Sequence, residues 1–244
     1  MCAHFESVHD KALLKMHFGV TLPSELARRD VWPGYLSTFI RRHENADVGD
    51  NVGDEAVPPR EALLGSFGLI PHWAKDHKIA RHTYNARSET VAEKPSFRDA
   101  WKRAQHCIIP VQSFFEPDWR SGKALPTRIA LATDEPMGVA GLWAQWRSPQ
   151  GETVHSFTML TINADDHALM RNFHKPQDEK RMIVILPPGR HDDWLQASER
   201  ESGDFLQAWP ADGLMAEGPG SRAQPGTPDA EHTTAPLFKS LTAT

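Results

Sequence analysis

Long apolar runs and cysteine are both scarce in this sequence of 244 residues. No run approaches the ~18 consecutive apolar residues that a membrane-spanning helix needs, so we expect no membrane partner. The first ten residues lack a basic segment followed by an apolar one, which argues against a secretory signal. The two cysteines, Cys2 and Cys107, are too few for a disulfide framework and are typical of a reducing compartment. These absences predict a cytoplasmic protein.

The usual motifs for nucleotide cofactors and metals are also missing. The sequence contains neither GxGxxG nor GxxxxGK followed by Ser or Thr, and it has no HExxH and no CxxC pair. We therefore expect neither a cofactor nor a metal. The formal net charge of −5, from 27 Lys and Arg against 32 Asp and Glu, argues against wholesale coating of duplex DNA. It leaves room for one local basic groove.

Strand signals dominate the part of the chain before residue 211. Apolar and β-branched runs, the clearest being HCIIPVQSFF and RMIVIL, are typical of strands. The predicted strands are 63–70, 106–115, 127–132, 138–146, 154–162 and 181–187. Short helices are predicted at 7–18, 96–104, 164–173 and 191–198, the first capped by Ser7. Because the helices are interspersed irregularly, the pattern predicts an α+β fold and not a series of βαβ units.

Two segments are predicted to be irregular. Residues 41–60 are polar, acidic and rich in turn formers, which predicts a surface loop. From residue 211 onward Pro, Gly, Ala, Ser and Thr predominate, and large apolar side chains are too few to build a core. We therefore predict one domain over 1–210 and a Pro/Gly-rich mobile tail over 211–244.

Cys2 is the first of four features that could carry chemistry. Loss of Met1 would leave an amine and a thiol on one residue, and such a pair condenses with an aldehyde to a thiazolidine. The α-amine titrates near ~8 and the thiol near ~8.5, so both nucleophilic forms are accessible around neutral pH. By position alone, a cysteine in a frayed terminus is the simpler interpretation.

The second feature is a basic segment with interleaved aromatic residues, 71–106. It holds eight Lys and Arg against four Asp and Glu, a local charge of +4 within an acidic chain. In TYNARSET, Asn85 and Arg87 lie two residues apart and project to the same side of an extended segment. This composition is typical of a surface that contacts phosphates and stacks bases, with a solvated charged loop as the alternative.

A carboxylate and an imidazole complete the candidates. Glu116 ends an apolar strand among aromatic residues, where burial would raise its pKa toward neutrality and suit it to acid–base chemistry. His174 lies in a short polar loop before RMIVIL, where it could transfer protons in a cleft. An ordinary strand-end carboxylate and a surface histidine are the alternatives.

The order of these pieces resembles the SRAP family, the SOS response-associated peptidases or abasic-site processing proteins. The resemblance rests on Cys2, NARSET at 85–90, CIIPVQSFFE ending at Glu116, TMLTINAD at 158–165 and a His–basic–RMxVIL element at 174–186. It leaves only the tail uncovered. It implies a strand-dominated, antiparallel, barrel-like domain with short peripheral helices.

The resemblance also implies a function. Family members bind single-stranded DNA and crosslink themselves to ring-opened abasic sites, which protects the DNA in the damage response. The implied catalytic set is Cys2 as nucleophile, Asn85 in positioning, Glu116 in sensing and His174 in stabilising the sugar. The DNA-contacting residues that we carry over are His4, Trp73, Arg81, Arg87, Thr161 and Arg181. We expect a monomer whose partner is single-stranded DNA with abasic sites, located in the cytoplasm and at the nucleoid when bound.

Three departures from the family pattern bear on these assignments. The family usually begins Met-Cys-Gly-Arg, so His4 replaces an arginine and should weaken DNA binding or make it depend on pH. A Pro-Asp pair separates Glu116 from the tryptophan that usually follows it directly. The segment KPQDEK at 175–180 lengthens the gap between His174 and the following Arg-Met, and the inserted turn could displace that histidine.

Other functions stay open on the sequence. A cysteine protease acting on other proteins would use Cys107 or Cys2 with a histidine, although Cys107 lies in a core-strand pattern typical of an inert buried thiol. A single-stranded DNA binder that has lost crosslinking would bind reversibly and leave no adduct. Removal of Met1 could be autocatalytic, through the Cys2 thiol and Glu116, or the work of methionine aminopeptidase.

Overall fold

Twelve strands and three short α-helices form residues 2–46 and 57–218, the parts of the chain that the computed structural model describes. Within these residues, no helix has the length and apolarity of a membrane span. The strands are β1 Phe5–Ser7, β2 Asp30–Val31, β3 Leu36–Arg42, β4 Arg60–Phe67, β5 Asn85–Arg87, β6 His106–Asp118, β7 Leu125–Leu131, β8 Met137–Arg147, β9 Thr153–Asn163, β10 Arg181–Ile183, β11 Ile185–Leu186 and β12 Leu214–Glu217. The helices are α1 Lys11–Phe18, α2 Arg98–Lys102 and α3 His191–Gln196.

A circuit of five strands closes the sheet into a barrel. β8 pairs with β9, β9 with β4, β4 with β3 and β3 with β6, and β6 returns to β8. All of these pairings are antiparallel except that of β4 with β9, which is parallel. Each strand of the circuit therefore has a partner on both sides, which limits exposed sheet edges. The strand-dominated, barrel-like α+β fold with short helices is confirmed.

Side chains along the barrel strands alternate between two buried layers. In β6, Ile109 packs in one cluster with Phe67 and Phe157. Its neighbour Ile108 belongs to a second cluster, which includes Trp194 of α3 and residues of α1. Because successive side chains of a strand point to opposite faces, a strand covered on both faces is apolar throughout and loses the simple alternating pattern.

Strand β6 links the barrel to the amino terminus. Its first half pairs with β8, and its second half pairs with β1 and β7. The pairing of Phe5 with Phe114 brings the first residues of the chain beside the end of β6. On another side of the barrel, β5 lies parallel to β9 in the register Asn85 with Met159. These pairings carry three distant stretches of sequence toward one region.

All six predicted strands are present with shifted ends, and the predicted 181–187 is split into β10 and β11. The sequence pattern does not indicate β3, because the segment LSTFIRR mixes apolar residues with hydroxyls and two arginines. Both faces of this strand are covered, and the hydroxyl of Ser37 bonds that of Ser7 at 3.1 Å. Buried polar side chains with partners hide a strand from a hydrophobicity pattern.

The helix predicted at 7–18 begins later than expected. Phe5–Ser7 forms a strand, and α1 starts at Lys11. Its cap is Asp10 and not Ser7, since Asp10 Oδ1 accepts the N–H groups of Ala12 at 2.7 Å and Leu13 at 3.1 Å. The helices predicted at 96–104 and 191–198 are confirmed as the shorter α2 and α3.

The helix predicted at 164–173 is wrong. The segment consists mainly of turns, and its one helical stretch is the 3-10 turn Met170–Asn172. Side chains satisfy the local backbone in place of helical carbonyls: Asn163 Oδ1 accepts the N–H of Asp165 at 2.9 Å, and His167 Nδ1 accepts that of Met170 at 3.0 Å. Such local bonds compete with helix formation.

The sheet extends into the segment that the sequence assigns to a tail. Ala211–Gly213 forms a short 3-10 turn, and β12 pairs with β7 in the register Leu214 with Leu131. Strand β12, Leu214–Glu217, therefore belongs to the sheet although it lies beyond residue 210, where the sequence places the end of the domain. The rest of the predicted tail, 219–244, lies outside the described residues, as do residues 47–56 of the predicted loop 41–60.

Candidate active site

Cys2 is held in place by an amide from β5. The side chain of Cys2 is buried, with 1% of its surface exposed, and its Sγ lies 3.5 Å from the His4 carbonyl oxygen. Asn85 Nδ2 donates a hydrogen bond of 2.7 Å to the Cys2 carbonyl oxygen. Asn85 is itself buried, and among the described residues its Oδ1 has no hydrogen-bond partner.

Glu116 provides a buried carboxyl group at the same place. It lies near the end of β6 with 2% of its surface exposed, and burial raises its pKa to about 7. Burial also raises the pKa of the Cys2 thiol, and the negative charge of Glu116 raises it further. The site therefore holds a neutral thiol next to a carboxyl group that can gain or lose a proton near neutral pH.

His174 completes a pair with Glu116. Its Nδ1 lies 3.4 Å from Glu116 Oε2, and burial lowers the pKa of the imidazole to about 4. The backbone of His174 is in the left-handed region with a φ of 64°, which few residues other than glycine adopt. A neutral imidazole next to a carboxyl group can exchange a proton with it.

The two segments in which the sequence departs from the family pattern around the site, Pro117–Asp118 and 175–180, both contact His174 or its neighbour. Pro117 and Asp118 extend β6 beyond Glu116, where the Pro117 carbonyl accepts the His174 N–H at 2.9 Å and Asp118 forms a bridge with Phe173. In the longer segment 175–180, the Lys180 ammonium donates back to the His174 carbonyl at 3.4 Å. The insertion folds back, and the histidine stays in reach of Glu116.

Tyr84 is a neighbour of the site that the sequence analysis treats only as an interleaved aromatic residue. It is half-buried, and its ring packs against Phe67 at a centroid distance of 5.7 Å. Burial raises the pKa of Tyr84, and the nearby Cys2 and Glu116 raise it further. Its position directly before Asn85 is the one signal in the sequence that could have indicated it.

Thr161 and Arg181, which the family resemblance implies as DNA contacts, are both buried. Their exposed fractions are 1% and 2%. The Arg181 guanidinium donates to both carboxylate oxygens of Glu89, at 2.9 Å each, and to the Thr161 carbonyl at 2.7 Å. Thr161 Oγ1 lies 3.5 Å from the Ala86 carbonyl. Both residues therefore contact the NARSET segment and hold it in place, and their role as DNA contacts stays a prediction.

His4 lies in an aromatic stack. Its ring is 4.2 Å from the rings of Trp32 and Phe115, with interplanar angles of 10° and 12°, and its Nε2 is 2.9 Å from Asp30 Oδ1. The exposed Trp32 and the carboxylate of Asp30 were not indicated by the sequence. The residue that replaces the family arginine is thus partly covered and already paired with an acid.

The other expected DNA contacts are accessible. Trp73 is 48% exposed, and its indole N–H reaches the Pro95 carbonyl at 3.4 Å. Arg81 is exposed on the 3-10 segment His77–His82. Arg87, at the end of β5, is half-exposed and pairs with Glu179 at 2.9 Å. Tryptophan and arginine side chains in such positions suit base stacking and phosphate contact.

Cys107 does not fit the role of a nucleophile. It is fully buried in β6, within the cluster that contains Ile109 and Phe67, and burial raises its pKa well above the usual range of a thiol. A thiol without solvent access and without its anion is unreactive. No group of three or more His, Cys, Asp and Glu that could hold a metal is present in the described part of the chain.

The fold and the site define an SRAP-type domain, in which a strand barrel joins a buried second residue, Cys2, to an amide, a carboxyl group and an imidazole. Sequence comparison agrees. The family model described as SOS response associated peptidase (SRAP) matches residues 1–217, and the chain belongs to this family. The resemblance read from the motifs is thereby confirmed.

Curated relatives carry names that describe abasic-site processing. Abasic site processing protein YoqW of Bacillus subtilis is 38% identical over 143 residues, which cover 58% of this chain and 60% of YoqW. Abasic site processing protein HMCES of Mus musculus is 23% identical over 158 residues, 53% of this chain and 42% of HMCES. The chain thus spans less than two thirds of the length of these relatives.

Solved structures share the fold. A crystal structure of a protein from Bordetella bronchiseptica has a TM-score of 0.79 and 44% sequence identity, and it covers 89% of this chain and 99% of that one. A protein from Bacteroides thetaiotaomicron has a TM-score of 0.69 at 21% identity, covering 89% of this chain and 91% of that one. At that identity the second similarity concerns the fold alone.

Proposed function

We propose that this protein binds single-stranded DNA at abasic sites and, after removal of Met1, crosslinks to the ring-opened sugar through Cys2. The observation that carries the proposal is the convergence of Asn85 and Glu116 on Cys2, with His174 paired to Glu116. The names of the relatives, which describe abasic-site processing, support the same substrate.

The proposed reaction is a condensation. The Cys2 amine attacks the C1′ aldehyde of the open sugar, and loss of one water gives an imine. The Cys2 sulfur then adds to the imine carbon while the thiol proton passes to the imine nitrogen, which closes a five-membered thiazolidine. No oxidant, reductant or metal is needed, and the adduct weighs the sum of both partners less one water.

The buried groups supply the proton transfers. Glu116, with its pKa raised to about 7, accepts a proton from the Cys2 ammonium and frees the amine for attack. His174, which burial keeps neutral, exchanges protons with Glu116 and with the sugar ring oxygen during ring opening. Asn85 holds the Cys2 backbone so that amine and thiol face the same carbon.

The test mixes the purified protein with single-stranded DNA that carries one abasic site. A denaturing gel and intact mass spectrometry should detect a heat-stable adduct of the protein without Met1. Cys2→Ala should abolish the adduct, whereas Cys107→Ala, which removes the other thiol, should retain it. An adduct formed by Cys2→Ala would overturn the proposal. Reversible binding without any adduct, in protein that lacks Met1, would favour the non-catalytic binder.

Removal of Met1 by the protein itself is a second candidate activity. The Cys2 thiol would attack the preceding carbonyl with Glu116 as the base, and water would then release the methionine. Translation in a reconstituted system without methionine aminopeptidase tests this. Self-removal requires that wild type lose Met1 while Cys2→Ala and Glu116→Gln keep it. Retention of Met1 by wild type would assign the step to the aminopeptidase.

A further inference from the structure

The carboxylate of Glu179 receives donors from three side chains. Arg87 Nη1 lies 2.9 Å from Glu179 Oε2, and Arg181 Nη1 lies 2.8 Å from Glu179 Oε1. Asn163 Nδ2 reaches the same Oε1 at 3.3 Å. The hydrogen bond from Arg181 lowers the pKa of Glu179, so the group is an anion at neutral pH. These three donors form an anion-binding site, which the carboxylate of Glu179 occupies.

Glu179 belongs to the segment 175–180 that separates His174 from Arg181. The carboxylate is partly exposed, at 37%, and so is its partner Arg87, at 47%. An exposed ion pair contributes little to stability, and a competing anion can displace it. Arg181 remains neutralised by Glu89 whether or not Glu179 is present. The charge that becomes available on displacement is therefore mainly that of Arg87.

We propose that Glu179 occupies, in the free protein, the place of a DNA phosphodiester, and that DNA must displace it to bind Arg87. The inference rests on the proposed function, because it takes Arg87 as a phosphate contact. Carboxylate and phosphate accept the same paired N–H donors of a guanidinium, so one stands in for the other. Glu179 then sets the affinity of the protein for single strands without taking part in the condensation.

The test measures binding to a fluorescein-labelled single strand that carries a tetrahydrofuran abasic analogue, which lacks the aldehyde and cannot crosslink. Glu179→Gln should tighten the dissociation constant about 3- to 10-fold at low salt, since the competing charge is lost. In the double variant, Arg87→Gln should remove most of the gain in affinity that Glu179→Gln gives alone. Glu152→Gln, an equal charge change at the exposed residue directly before β9, serves as the control and should leave the affinity nearly unchanged.

Crosslinking to a natural abasic site provides a second readout. Glu179→Gln should raise the rate at limiting DNA and leave the rate at saturating DNA unchanged, because only affinity differs. Unchanged or weaker binding by Glu179→Gln, with a wild type that binds, would overturn this inference and assign Glu179 to positioning Arg87. A wild type that neither binds nor crosslinks would instead overturn the proposed function.

Discussion

Burial shifts the pKa values of Glu116 and His174 in opposite directions. It raises the pKa of the carboxyl group to about 7 and lowers that of the imidazole to about 4, because desolvation disfavours the charged form of each. At neutral pH the imidazole is neutral, and the carboxyl group is divided between its two forms. Two residues that titrate outside the neutral range in water thus acquire the protonation states that the proposed proton transfers need.

Glu116→Gln should slow crosslinking about 10²- to 10⁴-fold at saturating DNA, because it removes the proposed base and keeps the shape of the side chain. The wild-type rate should rise from pH 6 to pH 7.5 as Glu116 ionises, and the variant should lose that part of the rise. Single-turnover gels across this pH range measure both effects. A variant with the wild-type rate and pH profile would remove Glu116 from the mechanism.

At the scale of single residues, the sequence indicates the chemical groups better than their surroundings. The motif order identifies Cys2, Asn85, Glu116 and His174, and these residues do converge. The order does not indicate that Arg181 is buried, because an arginine beside a core strand has the same letter whether it faces solvent or a carboxylate. That distinction depends on Glu89, 92 residues away in the chain.

At the scale of elements, β5 depends on the strands around it. It has three residues and lies against β9, and the buried guanidinium of Arg181 ties the following turn to β10 through Glu89. A strand this short has no stability of its own. We call this arrangement, the Arg181–Glu89 ion pair together with the pairing of β5 and β9, the brace, and it holds Asn85 and Arg87 in position.

Arg181→Ala should lower the free energy of unfolding by about 1–3 kcal/mol, since it opens a buried space and removes the hydrogen bond to the Thr161 carbonyl. The half-exposed Glu89 carboxylate adds little to this loss, because water can solvate it once its partner is gone. Arg81→Ala, at an exposed arginine on the 3-10 segment His77–His82, should change stability by less than about 0.5 kcal/mol and weaken binding to single strands. Urea denaturation measures the stability of the two variants, and fluorescence anisotropy measures their affinity for single-stranded DNA. Equal stability losses in both variants would contradict the assignment of Arg181 to the brace.

Local signals also fail at the level of elements where side chains replace backbone partners. His167 and Asn163 bond nearby N–H groups in the segment predicted as a helix, and Asp10 displaces the expected cap of α1. The sequence pattern does not reveal strand β3, because the polar side chains of Ser37 and Arg41 are buried with partners. In each case side-chain contacts decide the secondary structure, and the periodicity of the sequence does not show these contacts.

At the scale of the whole molecule, acid should destabilise the fold through its buried histidines. Burial lowers the pKa values of His106, His174 and His191 to about 4, against about 6.5 in an unfolded chain. Between these values the unfolded state binds more protons than the folded state, so stability falls as the pH falls from 6.5 to 4. Each histidine contributes up to about 3 kcal/mol to this loss. Glu116 offsets part of it, because its pKa of about 7 in the folded state makes the folded chain bind that proton before the unfolded chain does.

Thermal unfolding followed from pH 7 to pH 4 tests this dependence. We expect a steep decline of the melting temperature below pH 6.5, and His174→Gln should flatten it because one of the three groups is removed. His72→Gln, at an exposed position, serves as the control. A wild-type melting temperature that is constant across this range would contradict the buried neutral state of these histidines.

The sequence by itself determined the family, the strand-dominated fold class and the identity of the four candidate groups, because these depend on motif order and residue type. Only the tertiary structure decided which charges are exposed and which are paired. In the structure, Arg181 pairs with Glu89 of the NARSET segment, and Arg87 pairs with Glu179. His174 lies next to Glu116 despite the insertion that follows it. Burial and pairing are properties of contacts between distant parts of the chain, and no local pattern encodes them.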